Sequence, residues 1–358
     1  MPLEANAPAE VLRVLNPLET PGYDRWAEEQ AGAAVFHSTA WARVLVEVYQ
    51  HRPLYLAGVE DGGFTGVLPL MEVESWLSGR RGVSLPFTDL CPPLGPGKVI
   101  MALRDRAVEM GKARKWASIE FRSGAVTSEL CESRGSGPSV SFWGHEVRTD
   151  DGREAIFDAF SPAVRRAIRK AQHCGVTAEI FRDAESMGDY YRLHCLTRRR
   201  HGLPPQPARF FDLIWHHVVD ASRGFVVLGK IAGKAVSGAV FMNFGEEGVY
   251  KFGASAPEAQ PVRANNLVMW EGFKQCAELG CKRVHLGRTS KGNEGLRRFK
   301  QGFGGIESTI DYECYDFRQM RWVRKQDLAK PGWVNQIFRA MPMPCLRWAG
   351  RMLYPHLA

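Results

Sequence analysis

No apolar run in the chain approaches the roughly 18 residues that a membrane-crossing helix requires, so none is expected. The opening MPLEANAPAEVLRVL places an acid at Glu4 and has no apolar stretch, which argues against a secretory signal. The cysteines, Cys91, Cys131, Cys174, Cys195, Cys276, Cys281, Cys314 and Cys345, form no CxxC pair. Zinc-type spacing is therefore missing, and the expectation is reduced thiols in a cytoplasmic protein. No GxSxG elbow or HExxH helix is present, so neither serine-hydrolase nor zinc-protease chemistry has a foothold, and no metal is expected. Charge is also limited: 47 Lys and Arg against 39 Asp and Glu give +8, too little to mark a nucleic-acid binder.

What is present is the composition of a folded protein, 45% hydrophobic and 24% charged, over 358 residues. That length fits two domains. A related pattern occurs twice. PLYLAGVEDGGFTGVLPLMEV (53–73) reads as two strands joined at Glu60–Gly63, and a helix over 99–115 leads into the strand WASIEFRS (116–123). GFVVLGKIAGKAVSGAVFMNFG (224–245) reads as two strands around Ala232-Gly233-Lys234, followed by the strand GVYKFGAS (248–255). A helix over 264–280 and the strand KRVHLGR (282–288) complete that half. Each half ends its unit on an arginine, Arg122 or Arg288. Turn and charged residues at Arg148–Gly152 suggest the linker, residues 131–139 read as a loop, and the domains are set at 1–149 and 150–317, with a tail at 318–358.

Ser161-Pro162 is a helix start, with Ser able to cap and Pro suited to the first turn. The helix turns Val164, Ala167 and Ile168 to one face and Arg165, Arg166, Arg169, Lys170 and His173 to the other. A wholly cationic face suits phosphate groups, and a solvated surface is the plainer alternative. Thr197-Arg198-Arg199-Arg200-His201-Gly202 ends a second, aromatic-rich helix. Lysines and arginines there serve the helix dipole, but three in succession exceed what a cap needs.

The most informative segment is VHLGRTSKGNEGLRRFKQGFG (284–304), a strand, a polar turn, a short helix and Gly-Phe-Gly. With the RRAIRKA helix, the TRRRHG segment and the NNLVMWE helix, it resembles the FemAB family, which builds peptidoglycan interpeptide bridges. It is similar in particular to the FemAB-like proteins associated with exosortase/PEP-CTERM systems. The resemblance covers 150–316 well and the first half more weakly. It implies an α/β (α+β) chain of tandem GNAT-like domains, mixed sheets flanked by helices, with the active site in the second. It further implies transfer of an acyl or aminoacyl group to an amine or hydroxyl of a cell-envelope or exopolysaccharide acceptor, lipid-linked or otherwise anionic.

Under that resemblance Phe299-Lys300 match the family's Phe-Lys pair beside the transfer site. Lys300 is expected to neutralise the oxyanion, Arg288 to hold a carboxylate or phosphate, and Glu294 to orient or deprotonate the acceptor. Arg165, Arg166, Arg169, Arg199, Arg200, His201, Lys251, Asn266 and Phe299 complete the expected substrate-binding set. Each has an ordinary structural alternative: Phe299 in a core, Lys300 on a surface, Glu294 bonding its own turn. No cofactor is expected to be tightly bound; the donor is either an aminoacyl-tRNA, which would make tRNA a partner, or acyl-CoA. Gln260–Asn266, ahead of the helix at 264, contains no glycine to let a backbone approach a pyrophosphate, which favours the former. Asn265 and Asn266 would then cap that helix.

The tail, PGWVNQIFRAMPMPCLRWAGRMLYPHLA (331–358), carries an apolar stripe beside Arg339, Arg347 and Arg351. It suits peripheral contact with the inner membrane, or packing on the second domain. Two other functions stay open on the residues: an acyl-CoA-dependent N- or O-acetyltransferase acting on a sugar or lipid-linked glycan, and a non-catalytic polysaccharide- or tRNA-binding module.

Overall fold

The computed structural model describes residues 11–76, 78–124, 138–324 and 332–357. Most of the loop expected at 131–139 lies outside them, as does Cys131. The first half runs β1 (Val11–Leu15), α1 (Tyr23–Glu28), α2 (Thr39–Tyr49), β2 (Arg52–Pro53), β3 (Tyr55–Glu60), β4 (Gly63–Leu68), β5 (Met71–Ser75), β6 (Gly79–Val83), α3 (Gly97–Ala113) and β7 (Ser118–Phe121). The second opens with β8 (Val140–Arg148), α4 (Gly152–Ala159), α5 (Pro162–His173), β9 (Thr177–Phe181), α6 (Ala184–Arg200) and α7 (Ala208–Ile214). It continues through β10 (Gly224–Ile231), β11 (Lys234–Phe244), β12 (Glu247–Ser255), α8 (Ala264–Glu278), β13 (Arg283–His285) and β14 (Thr289–Ser290). Then come α9 (Glu294–Gly302), β15 (Ile306–Asp316), β16 (Arg321–Trp322), and the tail helices α10 (Trp333–Ala340) and α11 (Met343–Leu353).

Local chemistry explains the boundaries. Asp61 and Gly62 both adopt positive φ (49° and 80°), as do Ala232 and Gly233 (47° and 78°), the geometry of a tight two-residue hairpin turn. Ser161 caps α5 by accepting from the Val164 N–H at 3.3 Å, and Gly175, at φ 73°, follows its end. The stretch 63–73 is two strands rather than one. It breaks beside Pro69, which cannot donate to a ladder, so β4 pairs with β3 while β5 pairs with β6.

The repeat is visible in the topology. β6 and β7 are parallel with α3 between them, and β12 and β13 are parallel with α8 between them. Beside a three-stranded sheet β1-β3-β4, one 13-stranded mixed sheet runs β2-β5-β6-β7-β15-β8-β13-β12-β11-β10-β9, with β14 paired to β8 and β16 to β15 off that path. β15 joins the halves: Ile306–Tyr312 pair with β8, and Glu313–Asp316 pair with β7. The boundary expected at 149–150 falls at the end of β8, whose partners β13, β14 and β15 all lie later in the chain. By pairing, that strand sits with the second half.

The halves also share a core. Tyr23, Trp41 and Tyr55 pack in one cluster with Tyr190, Phe210 and Phe211, all with at most 1% of their surface exposed. Trp41 meets Phe210 edge-on at 5.9 Å. Burial of side chains this large contributes roughly 1.5–3 kcal/mol each, enough to keep the seam closed and to fix the cleft along it.

Candidate active site

A cavity opens along that seam, and a second adjoins it within the second half. The larger, about 670 Å³, is walled by Thr88, Asp89 and Arg122 from the first half, by His194, Thr197, Arg198 and His201 from α6 and its end, and by Lys251 and Arg288. Tyr354 and Leu357 of the tail close one side. The smaller, about 270 Å³, is mostly apolar and is lined by Tyr250, Ala254, Val268, Met269, Leu296 and Phe299, with Arg200 and Asn265. Thr197, His201 and Gly253 border both.

The two strand-end arginines of the repeat, Arg122 and Arg288, therefore meet in one cavity. Arg122 is buried and structural: it bonds Glu120 and donates to the carbonyls of Leu85 and Thr88 at 3.2 and 3.0 Å. Tyr312 Oη donates to the Asp89 carbonyl at 2.6 Å. These bonds hold a loop in which Leu85 and Phe87 both have positive φ (58° and 59°). Such non-glycine conformations cost on the order of 1–3 kcal/mol each and persist only where the surroundings impose them.

What the loop delivers is Asp89. Its carboxylate lies 3.1 Å from Lys251 Nζ and 3.8 Å from Arg288 Nε. Burial alone would raise its pKa; the charges of Lys251 and Arg288 outweigh that and hold it at about 2. Asp89 is thus a fixed anion and a poor proton acceptor. Gly287 beside it has φ 71°, and a Cβ there would stand 3.1 Å from Asp89 Oδ2, so glycine serves both the turn and the carboxylate's approach. The Gly287 N–H donates to His285 Nδ1 at 3.0 Å. Burial keeps that imidazole neutral, with a pKa of about 4.

Lys251 is only 5% exposed and stands over Phe36 at 5.0 Å and Phe252 at 5.3 Å. Burial lowers its pKa, and Asp89 partly restores it. Arg288 is the accessible cation, 39% exposed and stacked on Phe142 at 4.4 Å and Tyr312 at 5.1 Å.

Lys300 takes a position different from the one expected for an oxyanion donor. It lines neither cavity; it lies behind the wall, 3% exposed, and donates to the carbonyls of Gly287 at 2.7 Å and Arg288 at 3.1 Å. Burial pulls its pKa down to about 8, with Asp89 opposing. It fixes the turn that presents Arg288. Phe299, one position away on α9, does reach the smaller cavity together with Leu296. Glu294 lies on the opposite side of that helix, 57% exposed and 3.4 Å from Arg297, because residues three and four apart share a face. It borders neither cavity.

The arginine run sorts by the same rule. His194, Thr197, Arg198 and His201 fall on one face of α6 and its end, so Arg198 faces the larger cavity while Arg199 turns away. Arg198 donates to Tyr354 Oη at 2.8 Å. Arg200 reaches the smaller cavity and the Ser255 carbonyl at 3.3 Å. Thr197 Oγ1 accepts from the Ser255 N–H at 2.9 Å, clamping β12 to α6. His201 stands at the junction of the cavities, and burial and then the neighbouring charges of Arg200, Arg198 and Arg339 lower its pKa. The imidazole is therefore neutral at pH 7 and free to accept a proton from an attacking group.

Arg165, Arg166 and Arg169 border neither cavity. The apolar side of α5 is packed on α8, which turns these residues outward: Arg165 bonds the Asp158 carbonyl at 3.2 Å, and Arg169 lies 6.0 Å over Phe157. Nor does either asparagine cap α8. Arg263, at φ 61°, occupies the cap position without a side-chain bond, Asn265 projects to the smaller cavity, and Asn266 lies in the first turn.

Residues 160–301 match the family model described as an acetyltransferase (GNAT) domain. A search of curated protein sequences finds no match. Among solved structures, the chain is similar to FemX, at 16% identity and a TM-score of 0.69 over 86% of this chain and 98% of that one. It is also similar to the C-terminal domain of a putative lysylphosphatidylglycerol synthetase from Agrobacterium fabrum, at 15% identity and TM-score 0.54 over 81% and 92% of the two chains. A tandem GNAT protein from the clavulanic acid biosynthesis pathway matches at 10% identity and TM-score 0.54 over 86% and 98%. The fold is the tandem GNAT fold. The chain is an acyltransferase, with the recognised domain in its second half.

Proposed function

We propose that the protein transfers an acyl or aminoacyl group to an amine or hydroxyl of an anionic cell-envelope or exopolysaccharide acceptor, with the reaction at the wall shared by the two cavities. The single observation that carries this reading is the meeting of unlike chambers at Thr197, His201 and Gly253. The apolar chamber suits the acyl portion of the donor. The larger presents Arg198 and the exposed Arg288, with Arg122 and Lys251 paired to carboxylates in its wall, and suits phosphate or carboxylate groups of the acceptor.

In the step, the acceptor nitrogen or oxygen attacks the donor's ester or thioester carbon while His201 accepts its proton. A tetrahedral oxyanion forms and collapses, the bond to the leaving oxygen or sulfur breaks, and His201 returns the proton to that leaving group. Arg288 holds the acceptor's anion, Lys300 fixes the turn carrying Arg288, and Asp89 keeps that arginine and Lys251 in place.

An aminoacyl donor is supported by the FemAB resemblance and by Arg263, a non-glycine residue, at the start of α8. The lysylphosphatidylglycerol synthetase domain, whose name states an aminoacyl product, shares the fold. Acyl-CoA is the second reading, favoured by the acetyltransferase description of the matched domain. Calorimetric titration with acetyl-CoA separates them: micromolar binding displaces the aminoacyl donor. Placing the acceptor in an exosortase/PEP-CTERM pathway belongs to the same proposal. Mass spectrometry of envelope and exopolysaccharide glycans from strains with and without the gene tests it, with a missing acyl or aminoacyl mass in the deletion strain expected and identical glycans refuting it.

A further inference from the structure

Outside the cleft, the tail has a surface whose residues the transfer reaction does not use. Residues 332–358 contain no Asp or Glu, yet carry Arg339, Arg347 and Arg351. Helix α10 buries none of its residues, and Trp333 and Ile337, one turn apart on one face, are 74% and 49% exposed. In α11 the inward positions are Leu346 and Gly350, the latter packed on the Pro205 carbonyl. The outward ones include Trp348, 66% exposed, and Met352, 52% exposed. Trp76, 80% exposed, joins them by donating to His356 at 2.8 Å. Among the described residues no helix is long and apolar enough to cross a membrane.

Beneath Trp348 is a hollow of about 720 Å³ whose wall includes Arg209, Arg347 and Arg351. Exposed indoles beside guanidinium groups, on a segment without a carboxylate, match the two layers of a bilayer surface. Trp prefers the boundary between headgroup and acyl chain, and Arg prefers the phosphates. A polar protein partner would leave the indoles uncovered, and nucleic acid would leave Ile337 and Met352 in water.

We propose that α10, α11 and Trp76, with the arginine-lined hollow under Trp348, form a docking surface for an anionic phospholipid bilayer. The surface stands independently of the transfer reading. It sets the cleft's location, because Tyr354 and Leu357, at the end of the same tail, form a wall of the larger cavity. Docking the tail therefore holds the cleft at headgroup depth, where a lipid-linked anion would lie.

The test is co-sedimentation of the full chain with vesicles of phosphatidylcholine alone and of equal parts phosphatidylcholine and phosphatidylglycerol. The wild type is expected to bind the mixed vesicles and not the neutral ones. Replacing Arg347 and Arg351 by Gln should weaken partition about fivefold per arginine. Trp333→Ala with Trp348→Ala should weaken it about tenfold or more while the melting temperature holds, since both side chains are exposed. Failure of the wild type to bind mixed vesicles, equal partition of all variants, or a wild type that dimerises through these tryptophans without binding lipid would each overturn the proposal. Transfer to a water-soluble acceptor is measured in parallel. Vesicle binding without transfer counts against the catalytic reading alone, and transfer without vesicle binding against the docking surface alone.

Discussion

Replacing Asp89 with Asn removes the one carboxylate that holds Lys251 and Arg288 together, and the structure sets the size of the effect. A carboxyl at about 2 in the folded protein, against about 3.9 in an unfolded chain, contributes roughly 2.6 kcal/mol at neutral pH. Because the side chain is 22% exposed, solvent reduces that figure, and about 2 kcal/mol is the working value. The sign follows from a lowered acid pKa: the contribution is complete above about pH 5 and disappears as the pH falls toward 2. Asp89→Asn also leaves Lys251 buried with no carboxylate beside it, so adding Lys251→Met, which sets a thioether among the same aromatic rings, should recover at least half the loss. Thermal melts of both single variants and the double at pH 7 read this directly. The expected drop for Asp89→Asn is about 4 °C, since each kcal/mol moves a chain of this size by roughly 2 °C. Additive losses in the double variant would refute the ion-pair argument.

Lys300→Met should lower transfer by releasing the carbonyls of Gly287 and Arg288. It should also abolish a pH effect: a lysine lowered to about 8 makes the wild type gain up to about 3 kcal/mol between pH 8 and the ordinary lysine value, and melts across that range should show the gain only in the wild type. Full cellular rescue of a deletion strain by the Lys300 variant would favour a binding module over an enzyme. The acid limb of the rate profile should lie below the ordinary histidine range because His201 is lowered, and a limb at or above that range would remove His201 as proton acceptor. Glu294→Gln should change the rate less than about twofold, since the side chain borders neither cavity, and a loss of about a hundredfold would restore it as a catalytic group.

The elements that rest on local chemistry were legible in the chain. Ser161-Pro162 starts a helix, Asp61-Gly62 and Ala232-Gly233 turn hairpins, and the two strand-end arginines marked a repeat whose copies meet in space. Phase was harder to read. Choosing Arg198 over Arg199, or Phe299 over Glu294, needs the direction of a helix face relative to a cleft, and composition does not state it. Lys300 was assigned to the reacting atoms on resemblance, whereas its ammonium fastens the backbone behind them. Asp89 was missed because nothing near it is a motif. Its role comes from a strained loop brought across the seam by Arg122 and Tyr312, contacts distant in sequence. The signal that would have found it is an acid facing Lys251 and Arg288, and that signal exists only after folding.

The central claim is that the shared wall of the two cavities is where the group is transferred. Purified wild type and His201→Ala are each incubated with donor and with envelope glycan isolated from the deletion strain, and the glycan mass is recorded. The account predicts that the wild type restores the missing acyl or aminoacyl mass and that His201→Ala restores it at least about a hundredfold more slowly. Equal restoration by the two proteins would contradict it.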